Sequence, residues 1–384
     1  MKKSVKAILL SLVLIPAVTS CTLGKTDGDG ISFTRSTSPT SSIGAASSTA
    51  PAGSANPANA ASNGTTIALG DPINVSGTGA AVDDSTVNIT AGGNYILSGS
   101  LTDGQVNINT KERVNLILSG ISITNSSGPA LLVTDAKEVT ITLTPGTTNS
   151  LSDDGSTDEN DAALFTNDTL VINGEGALVV TGSNNEGISS DDDIIVNGGS
   201  IKVTAPDDGI NAHDDITING GYVNVIADGD GIDSNGTVNI NGGTVISQGS
   251  AVMGDGGIDA AGSFAITGGT VIASGNSLAA PDSDSTQASL FVKTGSTWDA
   301  GTLLHIEQSG SEIVTFAPAQ SYRTLFYSSN QLDLGTDYQV FIGGSSSGNA
   351  TDGLYSGGTY RAAGTTGISI TPAITPEGTG RLNP

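Results

Sequence analysis

Cysteine is almost absent from this 384-residue chain, which carries only Cys21. No internal disulfide can form, and neither a zinc nor an iron–sulfur site can rest on thiolates. Positive charge is also scarce. Lys and Arg together number 13 against 38 Asp and Glu, a formal net charge of −25. Between Asp153 and Asp284 stand 22 acids and one basic residue, Lys202. Such a surface cannot neutralise phosphates, so nucleic acid is excluded as a partner. Aromatic residues are few, at 4%. The apolar run from Ala7 to Val18 is too short to span a bilayer.

That run instead reads as a targeting segment. Lys2, Lys3 and Lys6 precede it and small residues follow, the pattern of an exported chain. Val18-Thr19-Ser20-Cys21 has the form of a bacterial lipobox, which makes Cys21 the candidate lipidation site. A plain secretory signal with an incidental Cys is the alternative. Residues 22–65 are dominated by Ser, Thr, Ala, Gly and Pro without hydrophobic period. Such a stretch buries too little apolar surface to offset its ordering entropy, so a flexible stalk is expected. Together, residues 1–21 and 22–65 describe a membrane-anchored bacterial lipoprotein displayed at the cell surface or outside the cell.

What the chain has in abundance is glycine, 53 residues, and a repeat. Glu186-Gly187-Ile188-Ser189 is followed ten residues after its Gly by Asn197-Gly198-Gly199. The same phrase returns at Asp208-Gly209-Ile210-Asn211 with Asn219-Gly220-Gly221, and at Asp230-Gly231-Ile232-Asp233 with Asn241-Gly242-Gly243. A fourth copy is Gly256-Gly257-Ile258-Asp259 with Thr267-Gly268-Gly269. The Gly-to-Gly steps are 22, 22 and 26 residues. A fixed period in this range marks stacked structural units.

In that register Ile188, Ile210, Ile232 and Ile258 form one apolar column, and Ile194, Ile216, Val238 and Phe264 a second. Val196, Ile218, Ile240 and Ile266 form a third; Ile201, Val223, Val245 and Val271 form a fourth. Their alternation with polar residues is the period-two mark of short half-buried strands. Gly-Gly pairs mark sharp corners. Three short strands per repeat describe an all-β parallel β-helix, favoured by the exact register over a β-sandwich. Weaker copies extend backward through Leu170–Gly174, Val139–Leu143, Leu116–Ile123 and Val87–Leu97. About eight turns at ~4.8 Å give a rod on the order of 40 Å long. The helix is assigned to residues 66–285, with irregular strands before Ile96 capping one end. Residues 286–370 are richer in aromatics and read as antiparallel strands of a small β-rich C-terminal module or cap, before a tail, 371–384.

Stacking the repeats also stacks carboxylates. Asn211, Asp233 and Asp259 form one outward column, and Glu186, Asp208 and Asp230 another. Asp207, Asp228 and Asp255 lie nearby, as do the pairs Asp192-Asp193 and Asp214-Asp215. Carboxylates one strand spacing apart repel, and each has its pKa raised unless neutralised. With so few cationic side chains, a hard divalent cation is the economical partner. Flexible Asp, Asn and carbonyl oxygens suit Ca²⁺ better than Mg²⁺. The alternative is an acidic ladder held apart by water and monovalent ions.

Catalysis finds little support. Hydrolysis requires paired acids across a sugar bond, for which Asp207-Asp208 and Asp214-Asp215 qualify by composition only. Calcium-assisted β-elimination requires a base, and Lys202 is the one candidate among the acid-rich turns. His213, in Ala212-His213-Asp214-Asp215, reads as a solvent-facing residue paired to a neighbour. Lys202 and His213 are instead candidate ligand contacts, with Tyr222, which faces outward beside a Gly-Gly corner and could stack on a sugar. His305 is expected to be structural.

The run Asn160-Asp161-Ala162-Ala163-Leu164-Phe165-Thr166-Asn167-Asp168, with Leu170-Val171-Ile172-Asn173-Gly174, resembles a family of bacterial secreted carbohydrate-binding β-helix proteins. The Asp-Gly-Ile and Asn-Gly-Gly repeats continue the match, as do Ala300–Ile306 and Thr351–Tyr360. The resemblance spans residues 85–365. It implies a right-handed, pectate-lyase-like parallel β-helix that contains calcium and binds polygalacturonate and cellulose without catalysis. Asp208, Asp230 and their neighbours match its turns; Gly256 departs from them, with Asp255 one place earlier. The expectation is a surface-tethered, calcium-dependent polysaccharide binder acting as a monomer. A structural rod stiffened by calcium and a calcium-dependent lyase stay open beside it.

Overall fold

The computed structural model describes residues 64–154, 162–252, 254–364 and 367–376, and the backbone of 380–382. The targeting segment 1–21 with Cys21, and the stalk up to residue 63, lie outside the described residues. Among the described residues there is no helix. The chain winds as a β-solenoid of about seven turns, against about eight expected.

Each turn contributes to three parallel ladders. The first runs through Thr86–Ile89, Gln105–Asn109, Leu131–Asp135, Leu164–Thr166, Ile188–Ser190, Ile210–Ala212 and Ile232–Ser234. The second includes Glu138–Leu143, Leu170–Gly174, Ile194–Val196, Ile216–Ile218, Val238–Ile240 and Phe264–Ile266. The third includes Thr148–Asp153, Ala177–Thr181, Ser200–Ala205, Tyr222–Ala227, Thr244–Gln248 and Thr270–Gly275. Two long early strands, Gly93–Leu101 and Arg113–Asn125, each serve both the second and third ladders.

The four apolar columns are register partners in space. Ile188 pairs with Ile210 and Ile210 with Ile232, and a single bridge carries the column on to Ile258. Ile216, Ile218, Val223 and Val245 are completely buried. A fully buried Ile or Val contributes roughly 1.5–3 kcal/mol relative to exposure, so four such columns dominate the stability of the rod.

Two kinds of glycine permit the winding. The second Gly of each Gly-Gly pair turns the corner in a left-handed conformation, with φ of 94° at Gly199 and 88° at Gly221. The Gly of Asp-Gly-Ile has a different task, close approach. A Cβ on Gly209 would collide with Val225 Cγ1, and one on Gly187 with Val203 Cγ1.

The two ends are covered differently. At the N-terminal end Thr65–Leu69 pairs antiparallel with Asn74–Ser76, and Ala80–Asp83 with Thr86–Ile89. At the other end Tyr322–Ser328 pairs antiparallel with Thr270–Gly275 and with Ser289–Trp298. Phe291 and Phe326 close the interior against Phe264. The rest of the module, built on Leu304–Gln308, Ser311–Phe316 and Tyr338–Ile342, forms a second core against the outer face of the third ladder at Ile246 and Ile272. The C-terminal strands therefore both cap the helix and line its flank.

Candidate functional site

The edge where the third ladder turns into the first carries the acid columns. Ser189, Asn211 and Asp233 are successive register partners, and Asp259 follows at the bridge between Ile232 and Ile258. Beside them run Glu186, Asp208, Asp230 and Gly256, linked by amide-to-carbonyl bonds from Gly187 to Asp208, Gly209 to Asp230 and Gly231 to Gly256.

In the second of these columns Asp208 and Asp230 each accept from an amide of the next turn. The Asp230 amide donates to Asp208 Oδ1 at 2.7 Å, and the Gly256 amide donates to Asp230 Oδ1 at 2.6 Å. The Asn211 side chain donates to Asp233 Oδ2 at 2.9 Å and reaches toward Asp208 Oδ2 at 3.5 Å. One turn further on, Asp233 occupies the position of Asn211 and has no hydrogen to donate. Asp230, Asp233 and Asp259 present carboxylate oxygens that all lie within 4.8 Å of one another.

The electrostatic consequence is strong. Burial, then Asp208, Asp259 and Asp233, push Asp230 up to about 7 against the opposing Gly256 amide. Burial followed by Asp208 and Asp259 pushes Asp233 up to about 6. Asp208 is raised in the same direction, first by burial and then by Asp207 and Asp255, while the Asp230 amide opposes the shift. A carboxylate triad of this kind lacks positive charge, which a proton or a hard cation supplies. The donor set, all oxygen, with Asp230 and Asp233 partly buried and Asp259 exposed, fits Ca²⁺ in ligand type and charge.

The other candidates are distributed more widely. Asp193 Oδ1 accepts the Asp215 amide at 3.0 Å, and Asp215 Oδ1 accepts the Thr237 amide at 2.7 Å together with the Thr237 hydroxyl. Their carboxylates thus serve the turns before the second ladder. Asp192 is raised by burial first and by Asp168 and Asp214 next. Asp214 sits beside His213, whose Nδ1 is 3.3 Å from Asp214 Oδ1, both side chains exposed. Asp228 Oδ1 accepts from the Gln320 side chain at 3.0 Å and so faces the C-terminal module. The carboxylates of Asp207 and Asp208 both lie against the space a Cβ would take at Gly229.

Lys202 and Tyr222 are placed on a different face from the acid columns. Both stand on the third ladder, and both are held by Asp352 of the module. Lys202 Nζ lies 2.8 Å from the Asp352 carboxylate, and the Tyr222 hydroxyl donates to Asp352 Oδ2 at 2.8 Å. Tyr222 points outward from the helix as expected, but the module packs against it. Burial first, then Asp352, keeps its hydroxyl protonated well beyond the usual range. Asp352 sits in a left-handed turn, φ 49°, and lies 150 residues from Lys202 in sequence. No local pattern announces such a contact. His305 is buried, stacked on Tyr360 at 3.8 Å between ring centroids, with Nδ1 2.7 Å from the Thr315 hydroxyl.

A family described as "Carbohydrate-binding domain-containing protein" matches residues 83–317. A protein of that same description from Acetivibrio thermocellus is 33% identical over 136 residues, covering 33% of this chain and 48% of the relative. The chain thus spans about half the length of the curated relative it matches. A solved structure, a polysaccharide lyase-like protein from C. thermocellum in a gadolinium derivative, is 28% identical with a TM-score of 0.46, covering 54% of this chain and 93% of that one.

Proposed function

This chain belongs to the family of carbohydrate-binding domain-containing proteins, and from that premise we propose that it binds an acidic, plant-type polysaccharide such as polygalacturonate, without cleaving it and with calcium at the acid edge. The observation that carries the reading is the triad Asp230, Asp233 and Asp259, whose oxygens lie within 4.8 Å of one another. Asp230 and Asp233, partly sheltered from water, hold the ligand atoms; Asp259, more exposed, faces the approaching sugar. Asn211 keeps Asp233 in place through its amide. Calcium, when bound, supplies the positive charge that joins protein carboxylates to sugar carboxylates, which a chain of net charge −25 would otherwise repel.

The placement of Lys202 supports the non-catalytic half of the reading. Lys202, the base candidate of the acid-rich turns, is paired to Asp352 on another face. The lipid anchor at Cys21 and display at the cell surface complete the proposal, placing the rod where polysaccharide is met. The test is the double variant Asp230→Ala/Asp233→Ala. Both calcium affinity and polygalacturonate affinity are expected to fall at least tenfold, because the site's affinity follows its charge count. Retention of both at wild-type strength would remove the site assignment.

A further inference from the structure

The acid edge does not end at Asp259. The column through Glu186, Asp208, Asp230 and Gly256 has one more member, since Gly256 bridges in parallel to Ser277 and the Ser277 amide donates to the Asp255 carbonyl at 3.0 Å. Ser277 lines a cleft of about 260 Å³ at the C-terminal end of the helix, together with Asn276, Phe291, Lys293, Arg323 and Thr324. That volume is below the roughly 300–1,000 Å³ of a drug-sized pocket, and suits one sugar unit.

The charge of this cleft is opposite to that of the edge leading to it. Lys293 and Arg323 are both exposed. Lys111, Arg113 and Lys202 are spent on ion pairs with Asp135, Glu138 and Asp352, and Lys137 and Arg361, which like the cleft cations make none, do not line it. Lys293 and Arg323 make no ion pair among the described residues. Lys293 Nζ rests 5.1 Å from the centre of the Phe291 ring. In a chain with 13 Lys and Arg in total, two uncompensated cations on one concave surface form a local sink for anions. An ammonium and a guanidinium both bond carboxylate oxygens with charge assistance.

We propose that this cleft is a second sugar subsite, taking the carboxylate of one acidic sugar unit directly, with no metal between. The proposal rests on the carbohydrate-binding reading above and extends it along the same edge. Two rungs separate Asp230 from Ser277, about 10 Å at the spacing of parallel strands. A single saccharide chain laid along the edge would meet the acid triad and then the cationic cleft. The two contacts differ in chemistry, one needing a cation and the other not.

The experiment is calorimetric titration of the full chain with trigalacturonate and with its neutral methyl ester, in EDTA and in calcium. The proposal expects EDTA-resistant binding of the acid form and none of the ester. Lys293→Ala and Arg323→Ala should each weaken that binding about tenfold, the loss of one charge-assisted bond. Both residues are exposed, and circular dichroism checks that the variants fold. Asp230→Ala/Asp233→Ala should remove the calcium-dependent part of the binding, read as the difference between the two buffers. No EDTA-resistant binding by the wild type, or equal binding by both cation variants, overturns the subsite. Loss of calcium-dependent binding alone would bear on the acid triad and leave the cleft standing.

Discussion

At the scale of single residues, the difference between Asn211 and Asp233 decides the chemistry of the edge. The two occupy equivalent positions one turn apart, yet only Asn211 brings hydrogens to its acidic neighbours. Replacing Asp233 with Asn should copy the quiet turn onto the charged one. Calcium affinity is expected to drop at least tenfold, while the metal-free protein melts at a higher temperature at pH 8; calorimetry with and without calcium reads both. The pH dependence follows from the same groups. Asp230 and Asp233 hold protons more tightly in the folded chain, up to about 7 and about 6, than an unfolded Asp near 4. Between those values the folded state binds more protons than the unfolded, so stability falls as pH rises. In EDTA the melting temperature should therefore decline from pH 4 to pH 7, and saturating calcium should flatten the decline. A melting curve in EDTA that rises over that range would contradict it. The stacking of Asp233 and Asp259 was legible because a constant period places equivalent residues in columns. Which acids turn to backbone amides, as Asp193 and Asp215 do, was not, because the period does not encode the direction of a loop's N–H groups.

At the scale of elements, the rungs are interchangeable in their apolar columns and individual in their corners. Ile218 is fully buried between Val196 and Ile240, and Ile218→Ala should cost about 2–5 kcal/mol by leaving a cavity. Gly209→Ala tests the opposite fault, an added methyl where Val225 already sits. An overpacking cost of about 1–3 kcal/mol is expected, read by denaturant unfolding. A Gly209→Ala protein as stable as the wild type would mean that the Asp-Gly-Ile glycine is not there for close approach. Strands such as Ile216–Ile218 and the corners between them were readable from alternation and Gly-Gly pairs. The insertion that lengthens the last repeat was visible as a step of 26 residues. Its effect, reducing the first ladder there to a single bridge at Ile258, follows only from three-dimensional pairing.

At the scale of the molecule, the C-terminal module binds the helix by long-range contacts that no periodicity reveals. Asp352 holds Lys202 and Tyr222, while Gln320 reaches Asp228 and the Ala227 carbonyl. The cluster makes Tyr222 part of an interface, where its outward position beside a Gly-Gly corner suggests a stacking platform. Asp352→Ala should cost about 1 kcal/mol, since Lys202 remains partly exposed, and should speed amide exchange in Tyr222–Ala227 without altering calcium affinity. Unchanged exchange would show that the module is held by its apolar core alone. The module meets the acid edge at Asp228 through Gln320, and Asp230, Asp233 and Asp259 gather beyond that contact, which is why sugar binding is assigned to the triad. The most direct test is co-sedimentation of the full chain with insoluble polygalacturonate, in calcium and then in EDTA, with circular dichroism confirming the fold in both. Calcium-dependent recognition predicts strong retention in calcium that EDTA sharply reduces while the β-sheet signal persists. Equal retention in both buffers, or none in either, would contradict it.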